Sequence, residues 1–68
     1  MVNAYLLTNQ EHKVLQLICY GFSNKEIGSA LFIAPSTVGE HVQSILAKMH
    51  VRNRAAAAAE GVRQRLVK

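Results

Sequence analysis

The sequence predicts an all-α fold made of four short helices. Apolar residues recur at helical spacing in four segments, no segment alternates apolar and polar residues as a strand would, and the connections between segments are short. The chain has 68 residues, half of them hydrophobic, so it can form one small domain with a modest core. We therefore expect an N-terminal tail over residues 1–5 and a single domain over residues 6–68.

The first helix is predicted over about residues 9–20. Thr8 and Glu11 have the spacing of a capping box, in which the threonine oxygen accepts from a free amide and the glutamate reaches back to the cap. Gly21 is typical of the position just after a helix, because glycine adopts the left-handed conformation without strain. An apolar stripe lies between them and comprises Val14, Leu15, Leu17 and Ile18.

Two further helices, joined by a tight turn, are predicted in the middle of the chain. Ser23 and Glu26 form a second capping box, which begins a helix over about residues 24–31. Pro35 has a fixed φ and no amide hydrogen, so it suits the first turn of the next helix, about residues 35–49. This arrangement is a helix-turn-helix, a motif that holds its second helix in the major groove of DNA.

The fourth helix is predicted over about residues 54–66, with Asn53 as its N-cap. Helical spacing gives it an inward stripe of Ala55, Ala58, Ala59, Val62 and Leu66. Ala56 and Ala57 then lie off that stripe, and their small side chains would let two helices approach closely. We therefore expect a weak two-fold homodimer through this helix.

The third predicted helix has two distinct faces. At about 100° per residue, its buried face comprises Val38, Val42, Ile45 and Met49. The opposite face is polar and lightly charged, and it comprises Ser36, Gly39, Glu40, Gln43 and Ala47. Thr37, Ser44 and Lys48 flank one edge, where DNA phosphates would lie. An ordinary solvated face is the alternative interpretation, and the preceding turn favours the groove-facing one.

The net charge of +4 is carried by one half of the chain. In residues 1–34 two lysines cancel two glutamates, whereas residues 35–68 hold six basic side chains against two acidic ones. A basic half indicates a polyanionic partner such as nucleic acid. The single cysteine is consistent with a reducing compartment, and neither a signal peptide nor a long apolar run is present. These features predict a soluble cytoplasmic protein that does not enter a membrane.

Enzymatic and metal-binding functions are not expected. No pair among His12, His41 and His50 has the i,i+3 or i,i+4 spacing of helical metal ligands, and Cys19 has no cysteine partner. Cys19 is predicted to be a small buried hydrophobic residue instead. The sequence suggests no nucleophile and base arrangement, and a chain of this size offers no deep pocket. We therefore expect no catalytic residue, no metal and no cofactor.

A family resemblance extends over about residues 6–66. The residues that carry it are, in order, Leu7-Thr8 with Glu11 and Val14-Leu15, then Gly21-Phe22-Ser23-Asn24-Lys25-Glu26-Ile27, Leu31-Phe32-Ile33, Thr37-Val38, His41, Ile45-Leu46, Lys48, and Val51 with Asn53-Arg54. In this order and spacing the chain resembles the LuxR-type helix-turn-helix domain of quorum-sensing regulators and bacterial response regulators. The resemblance implies a four-helix domain that binds double-stranded DNA, reads the major groove with its third helix and commonly pairs through its fourth.

The resemblance also implies which residues meet the DNA. The positions that would face bases are Ser36, Gly39, Glu40 and Gln43. The positions that would contact phosphates are Lys25, Thr37, Lys48 and Arg52. RNA polymerase is a further partner expected of such a transcription regulator.

Four residues depart from the family pattern. Ala34 replaces a polar cap, Gly39 replaces a long basic side chain, Glu40 directs an acid toward a polyanion, and His50 replaces a glycine and so is expected to be left-handed or strained. Gly39 and Glu40 motivate one alternative, a protein-interaction or dimerisation module that has lost DNA binding. A second alternative is a module like region four of sigma factors, which shares the Thr-Val pattern but usually ends soon after the recognition helix.

Overall fold

The computed structural model describes residues 5–66 and contains four α-helices. They are α1 (Asn9–Cys19), α2 (Asn24–Leu31), α3 (Pro35–Met49) and α4 (Arg54–Arg63). Residues 5–66 contain no strand, so the predicted all-α fold is confirmed. In the same part of the chain, no helix is long and apolar enough to cross a membrane.

The predicted helix starts are confirmed by hydrogen bonds at the caps. In the first capping box the Glu11 amide donates to Thr8 Oγ1 at 3.1 Å, and the Thr8 amide donates to Glu11 Oε1 at 2.9 Å. Ser23 and Glu26 make the same reciprocal pair at 3.2 and 2.8 Å. Asn53 Oδ1 accepts from the Ala56 amide at 2.8 Å. Helices α1, α2 and α4 therefore each begin where a local side chain satisfies free amides.

The turn between α2 and α3 depends on Phe32 and Gly28. Phe32 ends α2 in the left-handed region with φ 59°, and its side chain is 93% exposed. Gly28 is buried against the turn, and a Cβ at this position would lie 2.6 Å from the Ile33 carbonyl oxygen. No side chain fits in that space, so the glycine lets the chain reverse tightly and begin α3 at Pro35.

Other helix ends follow the predictions made for glycine and histidine. Gly21 has φ +88° just after α1, as expected of a residue that follows a helix. His50 ends α3 with φ 57°, which confirms the left-handed histidine expected there. Ala34 provides no side-chain cap for α3, and Pro35 occupies the first turn as predicted.

The core lies between α1, α2 and α3 and is closed by α4. The predicted buried face of α3 is confirmed, since Val38 and Ile45 are fully buried and Val42 and Met49 nearly so. The other core residues are Leu7, Val14, Leu15, Ile18, Ile27, Ala57 and Leu66. Tyr5, the last residue assigned to the tail, packs against this core and donates to Glu60 Oε2 at 2.5 Å.

The predicted inward stripe of the fourth helix is only partly correct, since Ala58 packs against the core and Leu66 is buried but the other three residues are exposed. Ala55 and Ala59 are exposed, Val62 is 60% exposed, and the buried residues of α4 are Ala57 and Gly61. A Cβ on Gly61 would already lie 3.3 Å from Leu15 Cδ2, so the face toward α1 accepts only small residues and has no room for a valine.

Two further corrections concern the same segment. The fourth helix ends at Arg63 rather than near residue 66, because Arg65 takes φ 57° and the Leu66 amide turns back to the Gly61 carbonyl at 2.8 Å. Leu66 still reaches the core from outside the helix. Ala57, which was expected to lie off the inward stripe at a dimer contact, is fully buried in the core, while Ala56 is half-buried.

Candidate nucleic-acid interface

The outward face of α3 gathers the residues that were predicted to face bases. Ser36, Glu40 and Gln43 are exposed, and Gly39 is half-buried beside them. Ala47 is also exposed on this face. Because these positions recur at helical spacing on a helix whose other face is fully buried, they form one continuous surface. Their contacts with bases stay a prediction.

Two of the basic side chains predicted to contact phosphates have no partner within the described residues. Lys25 is exposed in the first turn of α2, and Arg52 is exposed just after α3. Neither makes a hydrogen bond or an ion pair with any other residue in 5–66, so both can extend toward an anion. Thr37, in the first turn of α3, is half-buried at the same end of the helix as Ser36.

Lys48, the other lysine predicted to contact a phosphate, is already engaged within the domain. Its Nζ lies 2.7 Å from Glu11 Oε1 and donates to the Leu6 carbonyl at 3.3 Å. An ammonium group has three hydrogens, so one donor is left for a phosphate. Lys48 therefore joins α3 to the segment that begins α1, a role that its position on the helix did not predict.

Glu11 is a buried carboxylate at the centre of this contact. It is 4% exposed and accepts from Ser44 Oγ at 2.5 Å as well as from Lys48. Burial alone would raise its pKa, but the hydrogen bonds from Lys48, Ser44 and Thr8 outweigh burial and lower the pKa of Glu11 to about 2. Glu11 is therefore ionised at neutral pH. Ser44, which was predicted to flank the phosphate edge, donates its hydroxyl group to Glu11 in this contact.

A second polar contact joins α4 to the start of α2. Arg54 donates through Nη1 to Asn24 Oδ1 at 2.6 Å and through Nη2 to the Phe22 carbonyl at 2.9 Å. Sequence reasoning did not assign these roles to Arg54 and Asn24, which are 30 positions apart. The only signal was that both residues belong to the motifs of the family resemblance.

The remaining titratable residues do not converge on a site. Within residues 5–66 no three His, Cys, Asp or Glu side chains come close enough together to hold a metal ion. His41 is half-buried at the edge of α3. Cys19 is half-buried rather than buried; its thiol donates to the Ala58 carbonyl at 3.5 Å, and burial raises its pKa.

Comparisons with known proteins agree with this geometry. A family model described as "Bacterial regulatory proteins, luxR family" matches residues 5–60. The Transcriptional regulatory protein DegU of Brevibacillus brevis is 45% identical over 64 residues, which cover 94% of this chain and 27% of DegU. The Probable transcriptional regulatory protein NarL of Mycobacterium tuberculosis (strain ATCC 25618 / H37Rv) is 47% identical over 64 residues, which cover 94% of this chain and 30% of NarL.

A solved structure has the same fold. The solved structure of the transcription factor GerE aligns with a TM-score of 0.85 at 32% identity, covering 93% of this chain and 94% of GerE. The chain spans less than a third of the length of DegU and of NarL, so it corresponds to one part of those proteins. The family match favours the LuxR-type interpretation over the sigma-factor one. The chain belongs to the luxR family of bacterial regulatory proteins, and its four helices are the helix-turn-helix domain of that family.

Proposed function

We propose that this chain binds double-stranded DNA in a sequence-specific manner as the effector domain of a bacterial transcription regulator in the cytoplasm. The observation that carries the proposal is the exposed polar face of α3, which follows a tight turn. Lys25 and Arg52, two exposed basic side chains without a partner in residues 5–66, support it. A helix presented in this way fits the width of the major groove. RNA polymerase is a further proposed partner, supported by the family resemblance alone.

Reading of the base sequence rests mainly on Glu40 and Gln43. They are the exposed side chains of the outward face that are long enough to reach base edges, since Ser36 is short, Ala47 is apolar and Gly39 has no side chain. Glutamine can form two hydrogen bonds with adenine, and glutamate can accept from the amino group of cytosine.

Attraction to the DNA backbone comes from residues around that face. Lys25 and Arg52 carry free charges, Thr37 offers a hydroxyl group near the start of α3, and Lys48 has one ammonium hydrogen to spare. Such contacts hold the domain on the duplex without distinguishing one sequence from another. Glu40 opposes them, because its carboxylate is repelled by nearby phosphates.

Separate substitutions of Glu40 and Gln43 are expected to change DNA recognition in different ways. Glu40→Ala should bind random DNA as well as or better than the parent while losing preference at one base position. Gln43→Ala should weaken binding to the preferred site by about 1–3 kcal/mol and leave random DNA nearly unaffected. The measurement is a binding profile over a randomised DNA library at one fixed salt concentration.

The control for these variants is Gln64→Ala, which removes an exposed glutamine outside α3. Its profile should match that of the parent. If Glu40→Ala and Gln43→Ala also match the parent, α3 does not read the bases, and the protein-interaction module becomes the better account.

We further propose a weak two-fold homodimer through α4, on a surface that differs from the one expected from the sequence. Ala57 is buried, so the apolar surface left on this helix consists of Ala55, Ala59 and Val62, which lie on one side at i, i+4 and i+7 spacing. Pairing on this surface is proposed to place the two α3 helices about one DNA turn apart.

Sedimentation at increasing protein concentration tests this dimer. The parent should associate as concentration rises, and Val62→Glu should stay monomeric, since it places like charges in the contact. Gln64→Glu provides the control, because it adds the same charge just beyond the helix. A parent that stays monomeric at high concentration and binds single half-sites without cooperativity would rule the dimer out.

A further inference from the structure

The contact between Arg54 and Asn24 fixes the orientation of the Asn24 amide. A guanidinium group only donates hydrogen bonds, so the atom 2.6 Å from Arg54 Nη1 is the amide oxygen. The second hydrogen bond of Arg54, to the Phe22 carbonyl, holds the guanidinium plane in place. Asn24 Nδ2 must then point away from Arg54.

Asn24 Nδ2 is directed toward the outward face of α3. A Cβ built on Gly39 would lie 3.8 Å from this nitrogen and would meet no other atom within 4 Å. Nδ2 donates to no residue in 5–66. Every fully buried side-chain nitrogen in that range has a partner, so Nδ2 is not fully buried. It lies beside a residue of the candidate DNA-binding face with its hydrogens unused within this range.

We propose that Asn24 is a DNA contact of this domain, donating from Nδ2 to a phosphate oxygen, and that Arg54 positions its amide. This inference rests on the proposed function. In a helix-turn-helix the first helix of the motif crosses the backbone while the second enters the groove, so a donor at the start of α2 meets a phosphate. Asparagine is among the residues that bind phosphates in this way.

Gly39 leaves the space beside this donor open. A Cβ at position 39 would lie 3.8 Å from Nδ2, in van der Waals contact with the amide, whereas glycine leaves that space empty. In the sequence, Gly39 indicates that a DNA contact of a long basic side chain is lost. In the structure, the missing side chain leaves room for a DNA contact from Asn24 on α2. Because the amide is neutral, it adds affinity without releasing a counterion.

Asn24→Asp separates DNA binding from folding. The aspartate still accepts from Arg54, and a negative charge in the first turn of α2 is favourable for the helix, so stability should equal or exceed that of the parent. The variant loses the donor and places a carboxylate near a phosphate. Its affinity for random duplex DNA should fall by more than tenfold.

Asn24→Ala removes the donor without adding charge. Affinity should fall by about ten- to a hundredfold, the value of one hydrogen bond to a charged acceptor, and evenly across sequences. The slope of log affinity against log salt should not change, whereas Lys25→Ala, the matched charged control in the next position, should reduce that slope by about one.

Arg54→Lys tests the positioning role. Lysine keeps the charge but cannot hold the amide and the Phe22 carbonyl in one plane. We expect Arg54→Lys to lose as much affinity as Asn24→Ala, and the double variant to lose no more than either alone. Urea denaturation of each variant reports whether it is folded under the binding conditions.

The outcomes are distinct. Asn24→Asp that is folded and binds like the parent overturns the Asn24 contact, and additive losses in the double variant overturn the positioning role of Arg54. In both cases the parent still binds DNA with a steep salt dependence. A parent without salt-dependent binding overturns the proposed function itself, and this inference with it.

Discussion

Val38→Asp is expected to leave the domain unfolded at neutral pH. Val38 is fully buried in the core beside the turn between α2 and α3, and within residues 5–66 the core holds no cation to pair with a new carboxylate. An unpaired buried charge costs more than about 4 kcal/mol, which is comparable with the whole stability of a domain this small. Far-ultraviolet circular dichroism and urea denaturation would measure the loss of helix.

Gln43→Asp is the matched control for this variant. It introduces the same carboxylate on the exposed face of the same helix, one position beyond the buried Val42. Its urea midpoint should stay close to that of the parent, because surface substitutions typically change stability by less than about 0.5 kcal/mol. A Val38→Asp protein that unfolds cooperatively at the parent's midpoint would show that the described core is wrong.

Lys48→Met is expected to destabilise the domain by roughly 3 kcal/mol, since it leaves the buried Glu11 carboxylate without its cation. The sequence alone indicates a different result. It places Lys48 on the phosphate edge of α3, where loss of the lysine should affect only DNA binding. The double variant Glu11→Gln, Lys48→Met should be less destabilised than Lys48→Met alone, because no charge is then left unpaired. Urea denaturation of the three variants at pH 7 provides the comparison.

The same contact predicts how stability changes with pH. The pKa of Glu11 is about 2 in the folded protein, below its ordinary value of 4.5, so its ionised form favours folding. This contribution, roughly 3 kcal/mol, is fully present above about pH 4.5 and is lost as pH falls toward 2. Between these values the parent should lose more stability than Glu11→Gln. Parallel pH profiles for the two proteins would contradict the low pKa of Glu11.

Much of the fold could be predicted because its determinants are local. Thr8, Ser23 and Asn53 mark helix starts through hydrogen bonds to amides three positions away, so the spacing alone identifies them. The faces of α3 could be predicted because its apolar residues differ clearly from its polar ones over 15 residues. The run from Ala55 to Ala59 offers no such contrast, and the inward side of α4 depends on which face fits against α1.

The parts of the site that sequence reasoning missed depend on residues far apart in the chain. Glu11 and Lys48 are 37 positions apart, and Asn24 and Arg54 are 30 positions apart. Each pair forms because helix packing brings two surfaces together. The periodicity of apolar residues along the sequence does not reveal which surfaces meet. Gly28 was missed for a related reason. This position must be glycine because the Ile33 carbonyl would collide with a Cβ there, and that carbonyl approaches Gly28 only in the folded turn.

The proposal that this domain binds DNA is tested most directly by its affinity for random duplex DNA as a function of salt. Log affinity should fall linearly with log salt. Lys25→Ala and Arg52→Ala should each reduce the slope of that line by about one, because each removes one phosphate contact. Lys13→Ala removes an exposed lysine from α1 and serves as the charge control, with no change expected in the slope. Absent binding, or binding that does not weaken as salt rises, would contradict the account and favour the protein-interaction module.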